Sequence, residues 1–165
     1  MKLIAIAAMT ESNIIAISGQ MPWNCKADMK HFKAATIGFP VIMGRKTFED
    51  MGGKPLSNRY NIVMSHRDGY QPEGTKVVSS VRDAISAAYR YCELNDLDQA
   101  YVIGGENIYK QFAPHVDYAT LSVIDDIFVD RELIELADRS GRGLVVNYFP
   151  MFAYGDVEKK FIHFV

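Results

Sequence analysis

Two short stretches decide the fold, and the first reads Val41-Ile42-Met43-Gly44-Arg45-Lys46-Thr47. The second reads Tyr101-Val102-Ile103-Gly104-Gly105-Glu106. In each, a β-branched apolar run ends at glycine and a helical pattern follows. A helix N-terminus carries unpaired N–H groups and a partial positive charge, so both stretches suit a phosphate. One such turn alone is more often ordinary turn chemistry. Two of them in one small chain favour a dinucleotide, although neither is the G-x-G-x-x-G of the Rossmann fingerprint.

The rest of the chain alternates apolar runs with helical patterns in the same way. Strands are predicted at residues 3–9, 41–43, 61–65, 76–79, 100–103, 118–124 and 157–164. Helices are predicted at residues 27–36, 46–51, 81–91 and 107–112. Alternation of this kind predicts an α/β fold with a largely parallel sheet and helices on both faces. Such sheets bind ligands beyond the carboxyl ends of their strands.

Length and composition exclude several classes of protein. The chain has 165 residues, which predicts one domain over residues 1–165. A net charge of −2 argues against a general nucleic-acid binder. Cys25 and Cys92 form neither a disulfide framework nor a zinc motif, so we expect no metal and a reducing, cytoplasmic compartment. Residues 1–9 fit a buried strand better than a signal peptide, and no apolar run approaches the roughly 18 residues that span a membrane.

A carboxylate beside an aromatic ring marks the first helix. Asp28 and Phe32 are four residues apart and so share a face, with Met29 expected nearby on that apolar side. A carboxylate buried there would need an amidine-like or cationic partner. Equally, Asp28 could simply favour the positive end of its helix. Trp23, the only tryptophan, could be a core residue.

These segments, taken in order, resemble the dihydrofolate reductase family. The resemblance rests on Met21-Pro22-Trp23, on Asp28 with Phe32, on the stretch from Pro40 to Phe48, on Pro55-Leu56 before Arg59, on Asn61-Ile62-Val63, and on Val102-Ile103-Gly104-Gly105 with Tyr109. It covers roughly residues 3–124. It implies the family's central, mostly parallel twisted sheet flanked by helices.

The resemblance also implies roles for matched positions. The catalytic residues would be Asp28, Trp23 and Ser122. Asp28 would bind the pterin, and the Ser122 hydroxyl would hydrogen-bond to Asp28. The substrate slot would be lined by Ile6, Ala8, Asp28, Phe32, Met51, Arg59 and Ile103, with Arg59 on the glutamate carboxylate of folate. NADPH would be held by Ala8, Ile15, Gly44, Arg45, Lys46, Thr47, Ser65, His66, Arg67, Gly104, Gly105, Glu106, Asn107, Ile108 and Tyr109. A cis peptide is expected at the paired glycines.

The reaction implied is reduction of 7,8-dihydrofolate, with hydride added at C6 and a proton at N5. Antifolates would compete with the substrate. Residues 10–24 would form a lid that excludes water. Two other functions stay open: reduction of another pteridine or a pyrimidine on the same fold, and ligand binding without turnover.

The chain departs from the family in the lid and near its carboxyl end. Ala16 stands where the lid usually has glycine. An insertion is expected at about residues 126–145, with a helix after the N-cap Asp130. Only one strand fits after Phe149-Pro150, where the family has a hairpin, so a shortened or rearranged sheet edge is expected. We expect a monomer, with a dimer through that edge as the alternative.

Overall fold

The computed structural model describes residues 1–125 and 145–164. Its strands are β1 (Lys2–Thr10), β2 (Ile14–Ile17), β3 (Pro40–Gly44), β4 (Tyr60–Met64), β5 (Thr75–Val78), β6 (Gln99–Val102), β7 (Tyr118–Ile124), β8 (Val146–Tyr148) and β9 (Glu158–Phe164). Its helices are α1 (Lys26–Thr36), α2 (Arg45–Asp50), α3 (Val81–Leu94) and α4 (Glu106–Phe112), with a 3₁₀ turn at Met151–Tyr154. Within these residues, no helix has the length and apolar character needed to cross a bilayer.

Seven strands form one sheet in the order β5-β4-β3-β6-β1-β7-β9. All six pairings within it are parallel. The prediction of an α/β fold with a mostly parallel sheet is therefore confirmed. Because the strands are parallel, the turns that follow β1, β3, β6 and β7 all lie at the same end of the sheet, beyond the carboxyl ends of the strands. Those turns carry the two glycine stretches.

The central strands of the sheet are buried on both faces, which explains why β1 and β3 are apolar along almost all of their length. Side chains of a strand alternate between faces, so Leu3, Ala5 and Ala7 join the core under α3 and α4. Ile4 and Ile6 join a second core with side chains of α1 and α2. The helix–sheet–helix layers predicted from the alternating pattern are thus present.

In the described residues, one strand follows Phe149-Pro150 at the carboxyl-terminal edge, as expected from the sequence. After the 3₁₀ turn, β9 pairs in parallel with β7 along its whole length and becomes the edge strand. Two short strands were not predicted from the sequence: β2, within the predicted lid at residues 10–24, and β8, before Phe149, pair antiparallel as a separate two-stranded ribbon. The predicted insertion at residues 126–145, including the helix after Asp130, lies outside the described residues except for Val145.

Candidate functional site

Asp28 is a buried carboxylate in the first turn of α1, only 6% exposed. The Ser122 hydroxyl, also buried, donates a hydrogen bond to it from β7. Burial raises the pKa of Asp28 above its usual 3.8, while the Ser122 hydrogen bond and the nearby His31 act in the opposite direction. Burial has the largest effect. An acid in this setting favours a ligand that offers N–H donors or positive charge.

Fewer residues of α1 are buried against the sheet than the sequence indicated. Asp28 and Thr36 are its buried residues, and Phe32 lies half-buried on the same side. Met29, expected near Asp28 on an apolar face, is 51% exposed, so that expectation was wrong. The reason is geometric, since adjacent residues of a helix point about 100° apart. Asp28 is thus the group that α1 itself buries at this end of the sheet.

Trp23 lies just before α1 and is 7% exposed. Its indole Nε1 is buried and finds no hydrogen-bond partner among the described residues. An unsatisfied buried donor is costly, so such groups usually meet a ligand or an ordered water. The indole N–H of Trp23 therefore calls for an acceptor that none of the described residues supplies.

Three hydrogen bonds hold the Arg59 side chain beside Phe32. Its Nε donates to the Thr36 hydroxyl at 2.9 Å, and its two terminal nitrogens donate to the backbone carbonyls of Ser57 at 2.8 Å and Lys33 at 3.4 Å. The guanidinium carbon lies 5.8 Å from the centroid of the Phe32 ring. Partial burial lowers the pKa of Arg59 from its usual value. An arginine fixed in this way can present its remaining donors to a carboxylate.

The other residues predicted for the substrate slot divide into two groups. Ile6 and Ile103 are buried in the core cluster against which Phe32 packs. Ala8 is half-buried on β1, in register with Ser122. Met51, after α2, is 40% exposed. The structure thus brings Ile6, Ile103 and Phe32 together and leaves Met51 at the surface.

The two glycine turns lie side by side. The Gly44 N–H donates to the Gly104 carbonyl at 2.8 Å, and a Cβ on Gly105 would lie 3.2 Å from the Thr47 hydroxyl. The peptide bond between Gly104 and Gly105 is cis, as expected. Neither α2 nor α4 has a side-chain cap, whereas Ser80 caps α3 by accepting from the Asp83 N–H. The first-turn N–H groups of α2 and α4 therefore remain suited to an anion.

Basic side chains lie after β3 and after β4, near these turns. The Nη1 of Arg45 donates to both carboxylate oxygens of Glu49, at 2.8 and 3.0 Å, and Lys46 is exposed. After β4, the Ser65 hydroxyl accepts from the Arg67 backbone N–H at 3.1 Å, and the side chains of His66 and Arg67 are exposed. The sequence thus places cations near the carboxyl ends of β3 and β4, which are neighbouring strands.

Residues of α4 and the lid close this region. Asn107 is exposed, while Ile15 and Ile108 are buried in the same core cluster. The Glu106 carboxylate accepts hydrogen bonds from Lys110, from Asn147 and from the Tyr148 backbone. Asn147 and Tyr148 were not found from the sequence. They follow the insertion, and no motif marks them.

Tyr109 lies against Gly104 and near the buried acid. Its hydroxyl donates to the Ile6 carbonyl at 2.8 Å, and the Tyr154 hydroxyl donates to the Tyr109 carbonyl at 3.0 Å. Burial raises the pKa of Tyr109 far above its usual value, and the charges of Tyr154 and Asp28 add to that effect. Asp28 is thus within electrostatic range of α4. Gly104 is required here, because a Cβ on it would lie 2.8 Å from the Tyr109 ring.

A surface groove lies away from these residues. It has a volume of about 910 Å³, between β5 and α3, and Ser65 is the one predicted cofactor residue in its lining. The cations that line it, Lys76, Arg82 and Arg90, are exposed to solvent. Its size alone does not mark it as a site. Asp28 and Trp23 carry stronger evidence, because buried polar groups must be satisfied.

Comparisons with known proteins agree on one family. The family model described as dihydrofolate reductase matches residues 2–133. Dihydrofolate reductase type 3 of Salmonella typhimurium is 39% identical over 125 residues, covering 76% of this chain and 73% of its own length. The dihydrofolate reductase of Neisseria meningitidis is 37% identical over 150 residues, with 86% and 89% covered. A solved structure, dihydrofolate reductase from Enterococcus faecalis complexed with NADP(H) and RAB-propyl, is 34% identical with a TM-score of 0.71 over 78% of this chain and 74% of that one.

Proposed function

The chain belongs to the dihydrofolate reductase family and catalyses the NADPH-dependent reduction of dihydrofolate, and we propose that Asp28 is the group around which this reaction is organised. One observation carries the assignment: Asp28 is a buried acid, hydrogen-bonded by Ser122, one helical turn before Phe32, which packs against Ile6 and Ile103. Few groups in a fold are so costly to keep. A pterin ring bearing an amino group next to a ring N–H supplies the two donors that such a carboxylate lacks.

The acid acts by holding and polarising the pterin. The Asp28 carboxylate accepts hydrogen bonds from the 2-amino group and from the N3–H of the pterin. These bonds fix the ring and increase the electron density at N5. Asp28 does not itself deliver the proton to N5; water does so. Trp23 contributes its indole N–H, which has no partner among residues 1–125 and 145–164 and donates to the ring or to a bound water. Ser122 keeps the pKa of Asp28 from rising further, so the acid can ionise.

Arg59 selects a substrate with an acidic tail. Its side chain is fixed by Thr36 and stands beside Phe32, so a benzoyl group can rest on the ring while the tail carboxylate meets the guanidinium. A pteridine or pyrimidine without such a tail would leave Arg59 unused. This favours a folate over those smaller substrates, and antifolates that carry the same tail would bind in the same way.

The two glycine turns fit NADPH. When bound, NADPH supplies the hydride that reduces C6 of the pterin. The uncapped starts of α2 and α4 would bind its phosphates, with Gly44, Arg45, Lys46 and Thr47 on one side and Gly105, Glu106, Asn107 and Ile108 on the other. Ser65, His66 and Arg67 would hold the 2′-phosphate. Ala8, Ile15, Gly104 and Tyr109 would surround the nicotinamide, and the lid would exclude water from it.

A spectrophotometric assay tests the assignment. We expect loss of the nicotinamide absorbance of NADPH that depends on dihydrofolate and is blocked by a diaminopteridine inhibitor. A dihydropterin without the benzoylglutamate tail, run in parallel, should be used with a much higher KM. Equal kcat/KM for the two substrates would overturn the role of Arg59. NADPH binding without turnover would indicate a ligand-binding homologue.

For the whole molecule, we infer a single-domain monomer of the cytoplasm. Both cysteines, Cys25 and Cys92, are free thiols in the structure, which suits a reducing compartment. A dimer through the outer edge of β9 is the alternative. Light scattering of the purified protein distinguishes the two states.

A further inference from the structure

The Glu106 carboxylate accepts hydrogen bonds both from its own helix and from a distant strand. It is the first residue of α4, and its side chain is 23% exposed. One carboxylate oxygen accepts from the Lys110 ammonium at 2.6 Å, an i,i+4 pair within α4. The other accepts from the Asn147 side-chain amide at 3.1 Å and from the Tyr148 backbone N–H at 3.4 Å, both on β8. These three donors lower the pKa of Glu106, so it stays ionised.

The strand that Glu106 contacts is paired with the lid. Asn147 stands opposite Ala16 and Tyr148 opposite Ile14 in the ribbon of β2 and β8. Two backbone hydrogen bonds close the ribbon at its ends, from the Ser18 N–H to the Val145 carbonyl at 2.7 Å and from the Phe149 N–H to the Asn13 carbonyl at 2.8 Å. Any displacement of β2 therefore moves β8, and with it the donors that face Glu106.

The ribbon is fastened to α4 by two contacts of different kinds. Phe149, directly after β8, packs against the Tyr109 ring with centroids 5.1 Å apart. This contact is apolar and tolerates small shifts. The Glu106 contact is a charged hydrogen bond that requires good geometry, and charged hydrogen bonds are the stronger class. Glu106 therefore sets where the ribbon rests relative to the first turn of α4.

We propose that Glu106 is a positioning residue, which tethers the lid, through Asn147 and Tyr148, to the helix whose N-terminus receives the cofactor phosphates. The inference rests on the proposed function of that helix turn and assigns Glu106 a separate task. Because its carboxylate is turned toward β8 and balanced by Lys110, it adds no free negative charge beside the phosphates. By linkage, whatever holds the lid in place also strengthens cofactor binding.

The test compares Glu106→Ala, Asn147→Ala and the double variant with Lys110→Met as a matched control. Lys110→Met removes the pair within α4 and leaves the contact with β8. Two measurements are made on folded protein, with melting temperatures as the check: amide hydrogen exchange over residues 13–20 and 145–149 without ligand, and the rate of NADPH dissociation by stopped-flow displacement.

We expect Glu106→Ala to speed ribbon exchange and NADPH dissociation about tenfold, which corresponds to about 1.4 kcal/mol. Asn147→Ala should give a similar change, and the double variant should add little, because both remove one contact. Lys110→Met should change either rate by less than about twofold, as exposed pairs contribute little. Glu106→Gln should give rates between those of the wild type and Glu106→Ala, because an amide has one acceptor oxygen where the carboxylate has two.

Two results would overturn the tether: unchanged ribbon exchange in Glu106→Ala, or effects of Glu106→Ala and Asn147→Ala that multiply fully in the double variant. The exchange measurement uses no ligand, so it tests the tether even if the function assigned to α4 is wrong. If the wild type did not bind NADPH at all, the proposed function would be wrong, and the exchange data would still decide whether Glu106 tethers the ribbon.

Discussion

Replacing Asp28 with asparagine should abolish most activity and yet make the ligand-free protein more stable. The change is nearly isosteric, so the fold and the Ser122 contact can persist, but the negative charge is lost. Asp28 is 6% exposed, and its pKa is raised chiefly by burial. The same burial that prepares the acid to bind a cationic or donor-rich ring is a cost to the empty protein.

The two effects have different magnitudes. A hydrogen bond to a charged group contributes about 1.5–3 kcal/mol, so loss of two predicts a drop of roughly 10²–10⁴ in kcat/KM. For stability, a raised folded pKa means that the unfolded chain ionises first. The destabilisation by Asp28 is therefore absent below pH 3.8, the usual value of its pKa, develops as pH rises from there to the folded pKa, and is complete above it.

Steady-state kinetics and thermal melts of wild type and Asp28→Asn, recorded from pH 3.5 to neutral (about 7), check both effects. The melting temperature of the variant should exceed that of wild type at neutral pH, by about 2–4 °C per kcal/mol for a chain of this length, and converge with it in acid. Ser122→Ala serves as the control, since it keeps the carboxylate and removes only its donor. A folded Asp28→Asn enzyme with wild-type kcat/KM, or with a lower melting temperature at neutral pH, would refute the reasoning.

Three further changes test other parts of the site. Arg59→Lys should raise the KM for dihydrofolate about tenfold with little change in kcat, because an ammonium cannot reproduce the guanidinium fork beside Phe32; a tail-less dihydropterin should show no difference. Gly104→Ala should destabilise the protein by about 2–5 kcal/mol, because a Cβ would lie 2.8 Å from the Tyr109 ring at a φ of +103°; an unchanged melting temperature would contradict this. Arg67→Ala should raise the KM for NADPH about tenfold and leave that for NADH unchanged, and an equal rise for both would exclude a contact with the 2′-phosphate.

Local patterns in the sequence were sufficient for much of the fold. The apolar runs at residues 3–9 and 118–124 are buried on both faces, so their composition shows that they are strands of a parallel sheet. The two glycine stretches each end a strand and begin a helix within one or two residues of the predicted positions. The order of these motifs was specific enough to indicate the family.

Other features depend on contacts between segments far apart in the chain. Met29 lies next to Asp28 in sequence and is exposed, because the orientation of α1 on the sheet, which its own residues do not specify, selects the buried face. Strand β2 lies in the segment predicted as a lid, β8 lies next to the predicted insertion, and the two strands exist through their pairing with each other.

The sequence by itself determined which residues could do the chemistry: a carboxylate on the first helix, an arginine for the substrate's acidic tail, and two glycine turns with cations beside them. Only the tertiary structure decided how they are supported. Ser122 meets Asp28, Thr36 fixes Arg59, and Glu106 contacts β8, in each case across 23 to 94 residues of chain. Hydrogen bonds between distant segments depend on the whole packing of the core, and no short pattern of residues encodes that packing.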